Sequence, residues 1–377
     1  MSNTLQFIGF IGSQDGSETR PGSGPIIDRD YIGTVARAQE YAGFDRVLIA
    51  HSSASPDGFQ IAAYAVQQTE RLKILLAHRP GFVAPTLAAR QLASLDHFSQ
   101  GRLAVHIITG GSDEEQQRDG DFLNKTERYA RTDDYLEVVR KVWTSTAPFD
   151  HDGPYYKSRG SQSYVKPVNG TLPIYFGGSS DEAIAVAGRH ADVYALWGEP
   201  LDDVRDTIAK VRAAAALHGR QDHVQFSLSL RPILGRTEEE AWAKADRILE
   251  QAKQLRATQS TFRPVRAGEP QNVGSQRLLA AAAAGKVRDK RLWTEIAALT
   301  GAQGNSTSLV GTPEQVTESL LDYYDLGVRT FLIRGFDPLV DAIEYGRELI
   351  PLVRQAVAAR EAGHGAAQGA TAAVAAE

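Results

Sequence analysis

The chain has 377 residues, 42% hydrophobic and 23% charged, which is enough apolar material for a large core and excludes wholesale disorder. It has no cysteine, so disulfides, zinc–thiolate sites, iron–sulfur clusters and thiol nucleophiles are excluded. Lys plus Arg number 41 against 46 Asp plus Glu, and the formal charge of −5 gives no general basic field for nucleic acid or anionic lipid. No apolar run approaches the roughly 18 residues of a membrane helix. The first residues lack a basic stretch leading into an apolar one, so no secretory signal is expected and a cytoplasmic location is.

The first β-branched and aromatic run covers 5–11, followed by a polar, Gly-rich stretch at 13–25 and a 3.6-residue periodicity predicting a helix over 29–42. The alternation then repeats. Strands are predicted over 46–50, 73–77, 103–109, 173–176, 192–196, 224–234 and 330–334. Helices are predicted over 58–69, 85–98, 131–144, 181–190, 201–218, 238–255 and 314–326, with a last one over 339–360. Eight such units imply a parallel sheet and suggest an α/β fold, a closed (β/α)8 TIM barrel with insertions, as one domain over 1–361. An open doubly wound sheet is the alternative, and the lack of GxGxxG after the first strand counts against it. Segments 13–25, 150–172 and 258–309 exceed a minimal barrel. The last of these, with Arg263, Arg266 and Arg277, reads as a lid or binding element. Residues 362–377 are Ala/Gly-rich and are expected to be a flexible tail.

Several short constellations sit at strand ends. Gly177, Gly178, Ser179 and Ser180 follow a strand and open a helix, where backbone N–H groups favour an anion; a tight turn with a serine cap is the alternative. Nearby Asp181 would repel an anion if it faced inward. Thr109 and Gly110 through Asp113 leave room for a flat ring, or form a loop and cap. His51, Ser52 and Ser53, with His78 and Arg79, put imidazole, hydroxyl and guanidinium groups around one opening, or either histidine alone has a structural role, whereas His106, inside a strand, reads as a core or layer histidine. Arg231 alternates with Leu228 and Leu230, and Arg334 follows the last strand. Two such arginines suit a small anion, or each forms a structural ion pair. Trp197 could wall a planar ligand or fill the core. Residues 113–121 lack the spacing of a metal loop and read as a solvated acidic face.

Several longer stretches resemble the bacterial luciferase-like flavin-dependent monooxygenases, most closely the alkanesulfonate monooxygenases. They are 71–110 (RLKILLAHRP, then APTLAARQLASLDHFSQGRLAVHIITG), 127–143 (ERYARTDDYLEVVRKVW), 173–180 (PIYFGGSS) and 197–200 (WGEP), within a likeness running from about Phe7 to Val353. The resemblance implies a (β/α)8 barrel that uses reduced FMN (FMNH2) and O2, with an NAD(P)H:FMN reductase as partner. It implies Gly177, Gly178, Ser179 and Ser180 at the FMN phosphate, Tyr129 at the flavin, and the ring near His51, Ser52, His78 and Thr109, with Trp197 helping to form the pocket.

The substrate side departs from that pattern. Ser52 and Ser53 stand where the relatives have a cysteine, Ser229 and Arg231 where they have an Arg-x-His pair, Thr300 to Gln303 where they have Arg-Gly-Gly, and Phe336 where they have a tyrosine. The expectation is a two-component monooxygenase that oxygenates a small organic substrate. The substrate is expected to be an organosulfonate cleaved to sulfite and an aldehyde, more bulky or polar than a short alkanesulfonate. Arg231, Arg334 and the lid arginines would hold its anion. The alternatives are the same chemistry on a non-sulfonate substrate, F420-dependent hydride transfer, or flavin binding without turnover. A homodimer or homotetramer is expected.

Overall fold

A computed structural model describes residues 4–258, 270–304 and 306–374, those after 363 as backbone alone. Arg263 and Arg266 lie outside the described residues.

Eight short parallel strands close a barrel: β1 (Gln6–Phe10), β2 (Arg46–Ile49), β3 (Lys73–His78), β4 (Leu103–Ile107), β7 (Ile174–Gly177), β8 (Val193–Trp197), β9 (Gln225–Leu230) and β14 (Val328–Ile333), in the order β1-β14-β9-β8-β7-β4-β3-β2. Between β4 and β7, β5 (Phe149–Asp152) and β6 (Lys157–Ser161) form an antiparallel hairpin within the predicted 150–172 insertion. Helices α1 (Arg29–Tyr41), α2 (Gly58–Gln67), α3 (Pro85–Phe98), a short α4 (Asp113–Gln117), α5 (Lys125–Thr144), α6 (Asp181–His190) and α7 (Leu201–Ala216) follow the strands. Most begin at a side-chain cap, each worth about 1 kcal/mol. Asp28 accepts from Tyr31 N, Asp57 from Gln60 N and Ser180 from Ala183 N. The fourth predicted helix starts six residues earlier than periodicity indicated, at Lys125, because Asn124 and Glu127 close a capping box ahead of it. That early start brings Tyr129 into the helix.

The seventh predicted strand is broken. Pro232 offers no N–H to a ladder, so β9 stops at Leu230 and β10 (Ile233–Leu234) joins a different sheet. There β10 pairs with β13 (Ser308–Gly311), which pairs with β12 (Leu292–Trp293) and then β11 (Val287–Arg288). The helix α8 (Glu238–Thr258) packs on this sheet and not on the barrel. Ala241, Ala245 and Ile248 share a separate core with Ile233, Trp293, Val310 and Phe336. The inserted unit therefore begins at residue 233, well before the predicted 258, and also holds α9 (Val273–Ala283) and α10 (Glu295–Thr300). The helix that covers the barrel at this point is α11 (Pro313–Asp325), through Val316, Leu320 and Tyr323.

After β14 come α12 (Pro338–Glu344), a π-helical turn (Tyr345–Leu349) and α13 (Ile350–Val374). The backbone of the expected tail is thus helical as far as Val374, alanine being the strongest helix former and outweighing the interspersed glycines. Among the described residues no helix is long and apolar enough to cross a membrane.

Candidate active site

Strand register fixes which side chains face the barrel axis. Ala77 pairs with His106, His106 with Tyr175, Gly177 with Ala195, and Trp197 with Ser229, so all of these share the inner face. In the lower half Ile8, Leu75, Ala104, Tyr175 and Val193 form a buried plug. Above it Phe10, Leu48, His106, Trp197, Ser229 and Leu332 also face inward, yet each is part-exposed. A concavity therefore opens at the C-terminal strand ends, where barrel enzymes carry their chemistry. Small residues, Ala77, Gly177 and Ala195, stand on its inner wall.

A polar cradle stands on one side of this mouth. Gly178 has φ 133°, and a Cβ there would lie 2.8 Å from both the Tyr129 hydroxyl and the Ala183 Cβ, so only glycine fits. The Tyr194 hydroxyl donates to the Gly178 carbonyl and fixes the turn. Tyr129 is 8% exposed, and its hydroxyl meets Thr109 and Ser180. Burial raises the pKa of this phenol, so it remains a donor. Ser180 Oγ accepts from Ala183 N at 3.4 Å, and its hydroxyl also meets the Glu182 carboxylate. Asp181 lines a groove of about 330 Å³ between α6 and α7 with Lys210, Leu217 and His218, away from the mouth. The start of α6, two side-chain-free positions and hydroxyl groups together form an arrangement whose chemistry suits an anion. The structure thus brings Thr109, Tyr129, Gly178 and Ser180 to one place. Gly110, beside them, has φ 95° and lies against Gln116, whose amide would be 2.2 Å from a Cβ.

The histidines fall differently from expectation. Ala77 faces in, so His78, the last residue of β3, faces out. It is 5% exposed, with Nε2 2.7 Å from the Tyr135 hydroxyl and its ring edge-on to Phe59 at 5.9 Å. Burial, and then nearby His51, push its pKa down to about 4. His78 therefore ties β3 to α5 and does not line the mouth. His106, expected as a core or layer histidine, is on the inner face and borders the concavity, and burial pushes it down to about 4 as well. The alternation of Leu103, Val105 and Ile107 against Ala104 and His106 was the signal for this.

At the rim, His51 Nε2 is enclosed without a hydrogen-bond partner. Burial and then Arg79 lower its pKa, so the ring is neutral at pH 7. Ser52 is spent on a turn, its N–H donating to Ser55 Oγ at 2.9 Å and its Oγ accepting from Ala54 N at 3.4 Å. Arg79 pairs with Glu115 at 2.9 Å and Asp119 at 3.7 Å, while Arg128 holds Asp113 at 2.8 Å and Arg131 holds Asp121 at 2.5 Å. Much of the acidic run at 113–121 is thus paired with arginines brought by β3 and α5, rather than forming a solvated face. Among the described residues no cluster could hold a metal ion.

The expected anion-binding arginines are committed elsewhere. Arg231 and Arg334 both donate to Glu18, each at 2.9 Å. Arg277 forks onto Glu199, which is 3% exposed, with Nε–Oε1 at 3.0 Å and Nη2–Oε2 at 2.5 Å. Glu18, in the loop after β1, is the residue that sequence reasoning missed; only contact across the barrel mouth reveals it. Trp197 does face the mouth, with Gly274 of α9 against its ring at the distance where a Cβ would come within 3.1 Å.

The family model described as luciferase-like monooxygenase matches residues 5–330. The chain belongs to the luciferase-like monooxygenase family. Among solved structures it is similar to a riboflavin lyase solved with modified FMN and riboflavin, at 22% identity and TM-score 0.78, covering 93% of this chain and 92% of that one. An EDTA monooxygenase from Chelativorans sp. BNC1 matches at 20% identity and TM-score 0.75, covering 93% and 94%. An F420-dependent secondary alcohol dehydrogenase matches at 18% identity and TM-score 0.67, covering 93% and 99%. At these identities the likeness concerns the fold. It is an enzyme of the flavin-dependent monooxygenase family, with the closed eight-stranded barrel expected of a luciferase-like protein.

Proposed function

We propose that the protein oxygenates a small organic substrate with reduced FMN and O2, the flavin being supplied by a separate NAD(P)H:FMN reductase. The observation carrying this reading is the Tyr129–Thr109–Ser180 cradle around Gly178. It fits a phosphate in donor type and in the space left by the missing Cβ, and it stands beside a concavity walled in part by small residues. When bound, reduced FMN would supply the two electrons with which one atom of O2 is placed on the substrate and the other leaves as water.

The chain's own residues would do the rest. Tyr129, Thr109, Ser180 and the N–H groups at the start of α6 would hold the phosphate. His106 and His51, both neutral at pH 7, would flank the ring without adding positive charge, and His51 Nε2 is an acceptor for a proton at the rim. Trp197 and α9 would cover the mouth and keep out water. Arg277 on Glu199 would hold that cover in place. An organosulfonate substrate, as the resemblance implies, would have to be recognised without Arg231, Arg334 or Arg277 as free partners.

The test is anaerobic titration with FMNH2, followed by rapid mixing with O2 and a substrate panel, with sulfite measured. Tight binding and substrate-dependent O2 use support the reading, and sulfite among the products would name a sulfonate. Absence of FMNH2 binding would overturn it and direct the titration to F420. A homodimer or homotetramer is proposed, to be checked by light scattering.

A further inference from the structure

The corner of the mouth between β1, β9 and β14 holds one carboxylate and two guanidiniums. Glu18 Oε2 accepts from Arg231 Nη2 and Oε1 from Arg334 Nη2, both at 2.9 Å. Each oxygen serves a different arginine, so an incoming anion would compete with both contacts. Arg231 cannot turn toward a ligand. It is 1% exposed, its Nη2 also donates to the Gly335 carbonyl at 2.8 Å, and its guanidinium lies 3.5 Å from the centre of the Phe336 ring. Its Nε and Nη1 are buried without a hydrogen-bond partner and out of reach of the mouth.

The loop that carries Glu18 is itself pinned. Ser23 N donates to the Asp15 carbonyl at 2.9 Å and Asp28 N to the Ser13 carbonyl at 2.8 Å. Arg20 pairs with Asp15 at 2.8 Å and Asp337 at 3.4 Å, and Thr19 Oγ1 donates to the Phe336 carbonyl at 3.3 Å. A tethered carboxylate in so closely pinned a loop has a high effective concentration at its partners, which a free anion must exceed. Burial opposes its ionisation, but the two guanidiniums outweigh burial and hold its carboxyl well below the usual carboxylate range, so protonation at neutral pH does not remove the charge. The other part-exposed groups on this inner wall, Phe10, Trp197, Ser229 and Leu332, are uncharged.

We propose, resting on the reading of this mouth as the substrate pocket, that Glu18 sets its specificity by excluding anionic groups, and that the part of the substrate entering between β1, β9 and β14 is uncharged. The two arginines are then the foundation that holds the excluding carboxylate, not the substrate's partners.

The test compares two probes of similar size, octanesulfonate and octyl methyl sulfone, in which a methyl group replaces the charged oxygen, binding to the flavin-free full chain by calorimetry. The wild type should prefer the sulfone. Glu18→Gln, which keeps the shape and one of the two accepted hydrogen bonds while removing the charge, should bind the sulfonate at least about tenfold more tightly than the wild type, with the sulfone little changed. Glu18→Gln with Arg334→Gln should lose that gain. Should Glu18→Gln not fold, Glu18→Asp, which draws the carboxylate back from one arginine, should give a smaller gain. A wild type that binds the sulfonate as well as the sulfone overturns the proposal. So does a folded variant without any gain. FMNH2 binding, titrated separately on the same proteins, tells failure of this proposal from failure of the flavin reading.

Discussion

Replacing Tyr129 by phenylalanine removes one hydroxyl and leaves the ring where it is, packed 6.4 Å from the Phe176 ring centre. In the free protein the loss is confined to neutral contacts with Thr109 and Ser180, worth about 1 kcal/mol in stability. Toward a bound phosphate the same hydroxyl would make a charge-assisted hydrogen bond, worth about 1.5–3 kcal/mol. FMN affinity should therefore fall by about ten- to a hundredfold, while the urea midpoint moves little. The informative control is riboflavin, which has the ring and lacks the phosphate: its affinity should be the same for both proteins. Fluorescence titration of the two flavins against wild type and variant measures all four constants. Equal weakening of FMN and riboflavin, or no weakening of either, would refute the assignment of Tyr129 to the phosphate.

Gly178→Ala should abolish FMN binding more completely, because its Cβ displaces the Tyr129 hydroxyl and its φ of 133° costs about 1–3 kcal/mol for any other residue; a melting curve beside the titration checks both effects. His78 has a pKa of about 4 in the fold against 6.5 when free, so it stabilises the protein in its neutral form. That stability is complete above pH 6.5 and is lost as the pH falls toward 4. From pH 6.5 to 5 the loss from this residue is about 2 kcal/mol, and urea unfolding of His78→Gln should show a correspondingly flatter decline. Arg277→Met leaves the buried Glu199 carboxylate without its cation and should destabilise by up to about 3–5 kcal/mol, part of which Glu199→Met in the same chain should restore. Limited proteolysis of the 233–311 unit reads out the same loosening.

The barrel was legible because its signal is local. Outward residues such as Val105, Ile107, Leu228 and Leu230 alternate with inward ones, and the helices between strands carry apolar stripes and caps. Gly177 to Ser180 was legible for the same reason, since a cap and a turn are neighbours in sequence. What was not legible depends on parity at strand ends and on contacts across the mouth. One residue more in β3 decides that His78 faces out toward Tyr135. Glu18 meets Arg231 and Arg334 across 213 and 316 residues of chain, a pairing that no spacing rule anticipates. Pro232 did carry the break after β9 in plain view, yet where the chain goes next depends on a pairing of Ile233 with Val310 far along the sequence.

That pairing has a consequence for how such a protein can change. Because β10 and β13 run side by side, with Leu234 opposite Gly311, the chain leaves the barrel and returns to it at the same spot. A segment with adjacent ends can lengthen, shorten or be exchanged at little entropic cost to the body it is mounted on. It sits against β9, while β4, at the edge of the Gly178 cradle, lies across the ring from β14. The 233–311 unit is thus a natural cassette. Transplanting it between barrels of this kind should transfer the cover of the mouth while leaving the opposite arc, with Thr109 and Tyr129, as it was.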